Sequence, residues 1–200
     1  MGIKVLFIYP NTYGMNMLPP AIALFSALLK DHGHSVDLFD ATYYQTDHGI
    51  DSDGTKAERL NVVPFSASEK GIKMRETNWS DDIKVKVEDF QPDLIALSTT
   101  EDMWLLGVRM LNEIREFIPR HKIPVIVGGV FPTFAPELVI KHDLVDMVCL
   151  GEGENTMIDL CDRIEKGNSW NDVTNIWAKK KDGSLVKNPI SNSFEINDTP

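Results

Sequence analysis

Four short stretches of this chain carry residue types that could meet a ligand. They are Tyr9-Pro10-Asn11-Thr12-Tyr13-Gly14, Ser98-Thr99-Thr100, the pair Gly128-Gly129 with Phe131 and Thr133 just beyond, and Gly151-Glu152-Gly153-Glu154. Each stands at the end of an apolar run. Their chemistry is that of hydroxyls, amides and bare backbone. The first holds no acid, no base and no imidazole, so general acid–base catalysis has no agent there. Neither GxGxxG nor GxxxxGK[ST] occurs anywhere in the sequence. In GEGE, two glutamates at a helix start would repel the phosphate that a helix dipole attracts; they are better suited to capping or to accepting hydrogen bonds. Phosphate-led binding is therefore disfavoured. Taken singly, each stretch has a plainer explanation: a tight strand exit for the glycine pair, satisfied turns for Ser98 and Thr99, a side-chain–backbone bond shaping the turn at Asn11. Met103 and Trp104, at a helix start, suit a core.

The stretches gain meaning only if the chain gathers them. KVLFIY (4–9), SVDLFD (35–40), DLIALS (93–98), PVIVGG (124–129) and DMVCLG (146–151) read as strands. Between them, 18–33, 80–91, 103–118, 135–142 and 154–167 carry helical periodicity, with Gly33 and Gly167 at C-terminal ends and Ser80 at an N-cap. Strands alternating with helices imply right-handed βαβ units. The expected fold is α/β: a doubly wound parallel five-stranded sheet of flavodoxin-like (Rossmann-like) order 2-1-3-4-5, with a small C-terminal hairpin turning at Asp182-Gly183. In such a sheet all four stretches fall at the carboxyl ends of the strands, where ligands bind. That convergence favours a site.

At 200 residues the chain fits one domain with an appendage, expected as 1–167 followed by a hairpin and linker over 168–200. Residues 41–79 form a long polar excursion. A net charge of −10 with scattered basic residues argues against a nucleic-acid partner. The N-terminal apolar run is too short for a membrane span and lacks a signal-peptide pattern, so the expected location is cytoplasmic. Cys149 and Cys161 are the only cysteines, too few by themselves for a four-cysteine zinc site or an iron–sulfur cluster, and read as buried thiols. His32, His34, His121 and His142 fall at the sheet end opposite the four stretches; His48 lies in the excursion.

A flavodoxin proper would carry a phosphate cradle after its first strand, and the bulky Tyr13 and Met15 argue against one; a phosphoacceptor domain would need acids at Tyr9-Pro10 and Ser98-Thr99. YPNTYG instead resembles, in register, the D-x-H-x-x-G loop of cobalamin-binding domains, with Tyr9 and Asn11 in place of the acid and the histidine and Gly14 matching. GGVFPTFAPE (128–137) resembles the GGxxPTxxPE segment of cobalamin-dependent radical SAM enzymes of methyltransferase and cyclase type. GEGE (151–154), HGHSVDLFDA (32–41), PDLIALS (92–98) and KDGSLVKNP (181–189) are similar to the same family.

The resemblance implies an N-terminal cobalamin-binding domain whose corrin has no protein histidine below the cobalt, for methyl transfer or a related radical reaction. It implies cofactor contacts from Tyr9, Asn11, Thr12, Gly14, Ser98, Thr99 and Thr100, and from Gly128, Gly129, Phe131, Thr133, Gly151, Glu152 and Gly153. Gly128 and Gly129 are expected to let the cofactor's nucleotide tail approach the backbone closely. No catalytic residue and no metal ligand are expected from the chain itself. S-adenosylmethionine and a [4Fe–4S] cluster would belong to a downstream radical SAM domain in cis, whose CxxxCxxC motif is absent here. Two other expectations fit the same residues: a free-standing cobalamin carrier, and a non-catalytic flavodoxin-like interaction module.

Overall fold

In a computed structural model, which describes residues 2–12, 19–46, 58–61, 68–180 and 182–191, the apolar runs become strands, buried along most of their length except at Ser35–Asp40, where only Phe39 is buried. β1 (Lys4–Tyr9), β3 (Leu94–Ser98), β4 (Val125–Gly128) and β5 (Met147–Cys149) lie parallel in that spatial order, with β2 (Ser35–Asp40) outside β1. This is the doubly wound order 2-1-3-4-5 read from the sequence. Side chains of β1 alternate between two cores. Leu6 and Ile8 enter one; Val5, Phe7 and Tyr9 enter the other.

The helices cover both faces. α1 (Pro20–Asp31) and α7 (Glu154–Glu165) supply Ile22, Leu29, Met157 and Leu160 to the Tyr9 side. α2 (Trp79–Phe90), α3 (Glu101–Glu113) and α6 (Pro136–Ile140) supply Ile83, Val87, Met110, Leu111 and Ile140 to the other. Burying a large apolar side chain stabilises by roughly 1.5–3 kcal/mol relative to exposure. With both faces covered, the parallel strands read as continuous apolar runs rather than alternating ones.

Three boundaries depart from the sequence expectation, each for a local reason. α2 is capped by Asn78 and not by Ser80: the Asn78 side-chain oxygen accepts from the Ser80 N–H at 3.0 Å, and Ser80 is already helical. The expected helix 103–118 stops at Glu113 and resumes as α4 (Phe117–His121), because Pro119 lacks an N–H and would clash inside a continuing helix. Between β4 and α6 a further short helix, α5 (Val130–Phe134), forms within GGVFPTFAPE, with Pro132 in its first turn.

The largest departure is the hairpin. β6 (Ile176–Lys179) pairs antiparallel with β5, and β7 (Leu185–Lys187) with β6, so the described residues form one sheet of seven strands. β5 is only three residues long and fully buried. Left as an edge it would expose a row of unpaired backbone groups, and β6 covers them. No helix among the described residues is long and apolar enough to cross a membrane.

Cys149 lies in β5 and Cys161 in α7, both unpaired, and burial pushes each thiol up to about 12. Thiolate is the reactive form, so both should resist Ellman's reagent at pH 8. We expect no rapid release of chromophore from the native chain and two equivalents after unfolding in guanidinium. A fast equivalent in native buffer would contradict this placement.

Candidate functional site

The carboxyl ends of β1, β3, β4 and β5 bring the four singled-out stretches to one edge of the sheet, and hydrogen bonds tie the β3 exit to the β4 exit and the β4 exit to the β5 exit. Thr99 N–H donates to the Gly128 carbonyl at 3.0 Å, joining the β3 and β4 exits. The Thr133 hydroxyl donates to the Gly129 carbonyl at 2.9 Å and accepts from the Gly151 N–H at 3.1 Å, joining the β4 and β5 exits. Thr133 therefore spends its hydroxyl proton and one lone pair on the scaffold.

The two central glycines have different roles. Gly129 has φ of +111°, and a Cβ there would sit 2.6 Å from the Thr99 carbonyl oxygen. Its missing side chain makes room for the β3 exit, not only for a ligand. At Gly128 a Cβ would meet nothing nearer than the Cys149 Cβ at 3.7 Å. Close approach to bare backbone is thus left to Gly128. Gly153 is likewise committed to packing, since a Cβ would lie 3.0 Å from the Phe25 ring.

At the β1 exit, Tyr9 is a core residue, with its hydroxyl's pKa raised by burial and by the nearby Asp40 carboxylate. Asn11 is fully buried, and its side-chain nitrogen donates to the Thr42 hydroxyl at 2.9 Å. Thr12 is buried at 4% exposure, and its hydroxyl finds no partner among the described residues. Gly14 lies outside the described residues. Ser98 and Thr100 are half-buried, while Thr99 is buried, with its hydroxyl donating to the Thr100 carbonyl at 2.8 Å. Phe131 meets Trp104 at a ring-centroid distance of 5.9 Å, bridging the first turns of α5 and α3. Gly151 and Glu152 are exposed, and Gly151 takes a positive φ of 70°.

One organising residue carried no sequence signal. Asn175, at the entry to β6, is 5% exposed with φ of +67°. Its side-chain nitrogen donates to the Glu152 carbonyl at 2.8 Å and the Thr156 hydroxyl at 3.0 Å, and its side-chain oxygen accepts from the Ser191 N–H at 2.6 Å. Its own carbonyl accepts from Leu150 N–H. The β5 exit is therefore held from the hairpin side, beside a cavity of about 180 Å³ lined by Glu152, Glu154, Thr156, Asn175 and Ser191. Asparagine is among the few residues with a side chain that visit the left-handed region readily. Without knowing that β6 joins β5, nothing distinguishes Asn175 from an ordinary turn residue.

Three of the acids near this edge sit at helix starts: Glu101 and Asp102 open α3, and Glu154 opens α7. They occupy the positive ends that would otherwise favour an anion. Among the described residues no group of three or more histidines, cysteines or carboxylates is placed to hold a metal ion. The arrangement suits a ligand recognised through neutral hydrogen bonds and shape.

A set of loops gathered at the carboxyl edge of a doubly wound sheet, across the reversal between β1 and β3, defines a small-molecule-binding domain. Residues 60–160 match the family model of the B12 binding domain, half of the chain, and the chain belongs to that family. The matched span holds the β3, β4 and β5 exits; the β1 exit joins them through the fold.

Among curated proteins, the chain is 28% identical over 120 residues to an uncharacterized methyltransferase of Pyrococcus horikoshii, covering 58% of this chain and 26% of that one. It is 25% identical over 119 residues to the anaerobic magnesium-protoporphyrin IX monomethyl ester cyclase of Rubrivivax gelatinosus, covering 58% and 21%. Among solved structures it is similar to the radical S-adenosylmethionine methyltransferase TsrM of Kitasatospora setae with cobalamin and [4Fe–4S] cluster bound. That match has a TM-score of 0.67 at 18% identity and covers 94% of this chain and 31% of that one. The cobalamin-dependent radical enzyme OxsB matches at a TM-score of 0.66 and 20% identity, over 96% and 22%. The chain thus spans about a quarter of the length of the two curated relatives.

Cobalamin is the ligand this family defines, and the site fits it. The corrin rim carries neutral amides, which match a lining of hydroxyls, amides and backbone. The open position at Gly128 admits close approach, and the buried Thr12 hydroxyl supplies a polar group without a described partner. Ser98 ending β3 with Thr99 and Thr100 beyond it, Gly128 ending β4 with Phe131 beyond it, and Gly151 and Glu152 beyond β5 all stand at this one edge of the sheet.

Proposed function

We propose that this chain is the cobalamin-binding part of a cobalamin-dependent radical SAM enzyme, holding the corrin with no protein histidine beneath the cobalt. The observation that carries this reading is the β1 exit: the position that faces a histidine in the D-x-H-x-x-G register is Asn11, buried and bonded to Thr42. His34 accepts from Ile3 N–H at the opposite end, and the His142 ring is packed edge-on against Trp104. Bound cobalamin supplies a cobalt centre that can carry a methyl group. The residues of this chain bind and orient it and do no bond-making of their own.

A downstream domain in cis, holding S-adenosylmethionine and a [4Fe–4S] cluster, completes the reading. Support comes from the much greater length of the related chains and from the names those relatives carry. The reaction is methyl transfer or a related radical reaction, and the location is the cytoplasm, consistent with two buried, unpaired thiols. The family assignment rests on residues 60–160, and the geometry adds the neutral lining.

Titrating the chain with hydroxocobalamin tests this. The expected product is a 1:1 complex with the benzimidazole displaced and a base-off ultraviolet–visible spectrum. A base-on spectrum, or no spectral change at all, would overturn the proposed mode of binding.

A further inference from the structure

The β1 exit is held by a chain of hydrogen bonds whose direction is fixed by chemistry. The Thr42 hydroxyl lies 2.5 Å from an Asp40 carboxylate oxygen, which also accepts the Thr42 N–H at 2.8 Å. An ionised carboxylate only accepts, and a hydroxyl has one proton. That proton is spent on Asp40. Towards Asn11, 2.9 Å away, the same hydroxyl can only accept, so the Asn11 amide must turn its nitrogen to Thr42. The bonds run Asn11 to Thr42 to Asp40 and end on a negative charge, which strengthens each member. Two further bonds brace the same loop from beyond β2: Ala41 N–H donates to the Tyr9 carbonyl at 3.0 Å, and the Thr46 hydroxyl to the Asn11 carbonyl at 3.3 Å.

We propose that Asp40 and Thr42 are positioning residues for the cofactor: they fix which way the buried Asn11 amide faces and thereby hold loop 9–12 in its binding form. The proposal rests on the cobalamin reading above and deepens it. It also gives the first residues of the 41–79 excursion a role, as the clamp on the β1 exit. With the nitrogen committed to Thr42, the Asn11 carbonyl oxygen is directed away from it.

The test uses the full chain with three substitutions. Thr42→Val keeps the shape and removes the hydroxyl. Thr42→Ser keeps the hydroxyl. Asn11→Asp keeps the shape but sets an acceptor against a hydroxyl whose proton is already given to Asp40. Hydroxocobalamin affinity by equilibrium dialysis should fall at least tenfold for Thr42→Val and Asn11→Asp and return to within about threefold of wild type for Thr42→Ser. Circular dichroism should show a native spectrum for Thr42→Val.

A readout without cofactor separates this proposal from the cobalamin reading. In the ligand-free chain, the Asn11 side-chain NH₂ pair should give a shifted, slowly exchanging signal in a proton–nitrogen NMR spectrum. That signal should collapse to solvent-like behaviour in Thr42→Val and persist in Thr42→Ser. Should wild type bind no cobalamin while these NMR changes occur, the cofactor reading fails and the clamp stands as a structural device alone. Unchanged affinity in Thr42→Val, or an unchanged Asn11 signal, overturns the positioning role.

Discussion

Gly129→Ala should lower the melting temperature of this chain markedly, while Gly128→Ala, one residue earlier, should leave it within a degree or two and still lose the cofactor. At position 129 the backbone has φ of +111°, where a side chain costs about 1–3 kcal/mol for conformation alone. The new Cβ would also lie 2.6 Å from the Thr99 carbonyl oxygen and 3.0 Å from its nitrogen. These are backbone atoms of a buried strand exit and have no rotamer by which to yield. For a domain of this size each kcal/mol moves the midpoint by roughly 2–4 °C.

Position 128 carries neither burden, since its φ is ordinary and the nearest atom to a new Cβ is 3.7 Å away. A methyl group there projects into the space left for the ligand, so cobalamin affinity should drop by tenfold or more. Thermal circular dichroism and equilibrium dialysis together decide the pair. Wild-type melting of Gly129→Ala would show that the β3 and β4 exits are not joined as described. Wild-type affinity of Gly128→Ala would move the ligand away from this strand.

Asn175→Ala should be the most damaging single change on the hairpin side. It removes the donor to the Glu152 carbonyl, one partner of the Thr156 hydroxyl and the side-chain acceptor of the Ser191 N–H. Each hydrogen bond lost costs about 0.5–1.5 kcal/mol. Alanine also tolerates φ of +67° poorly. Asn175→Gly separates the two causes, because it accepts the dihedral but restores no side-chain bond. Denaturant titration should place Asn175→Ala lowest, Asn175→Gly between it and wild type, and wild type highest. If Asn175→Gly unfolds at the wild-type midpoint, the side-chain bonds contribute nothing and the hairpin does not hold the β5 exit.

The parallel part of the sheet could be read from the sequence because its information is local: apolar runs of strand length, each followed by an amphipathic helix, leave little choice of order once crossovers are right-handed. The four candidate stretches were legible for the same reason, each lying where a strand ends. What could not be read depends on pairing across long separations. The join of β6 to β5 is set by the open edge of a three-residue strand, and nothing in NIWAKK (175–180) announces a partner, so the role of Asn175 has no local signal. The short helix Val130–Phe134 was hidden by two prolines that each suit a helix start as well as a turn. Asn78 was passed over for Ser80 because both are good caps and only the backbone shows which residue lies outside the helix. The division of labour between Gly128 and Gly129 also needs coordinates, since it turns on where Thr99 sits.

The antiparallel strand that closes the sheet sets the order in which the molecule can be finished as it leaves the ribosome. Synthesis proceeds at about 5–20 residues per second and domains fold as units in that direction. The five parallel strands are all present once Cys149 has emerged, but the β5 exit has no lock until Asn175 follows, and that lock is not complete until Ser191 can donate to it. For those intervening seconds the nascent chain has β5 uncovered at its outer side and a β5 exit that is only partly set. A chaperone that covers an exposed strand edge, or the ligand arriving early, would act within that window.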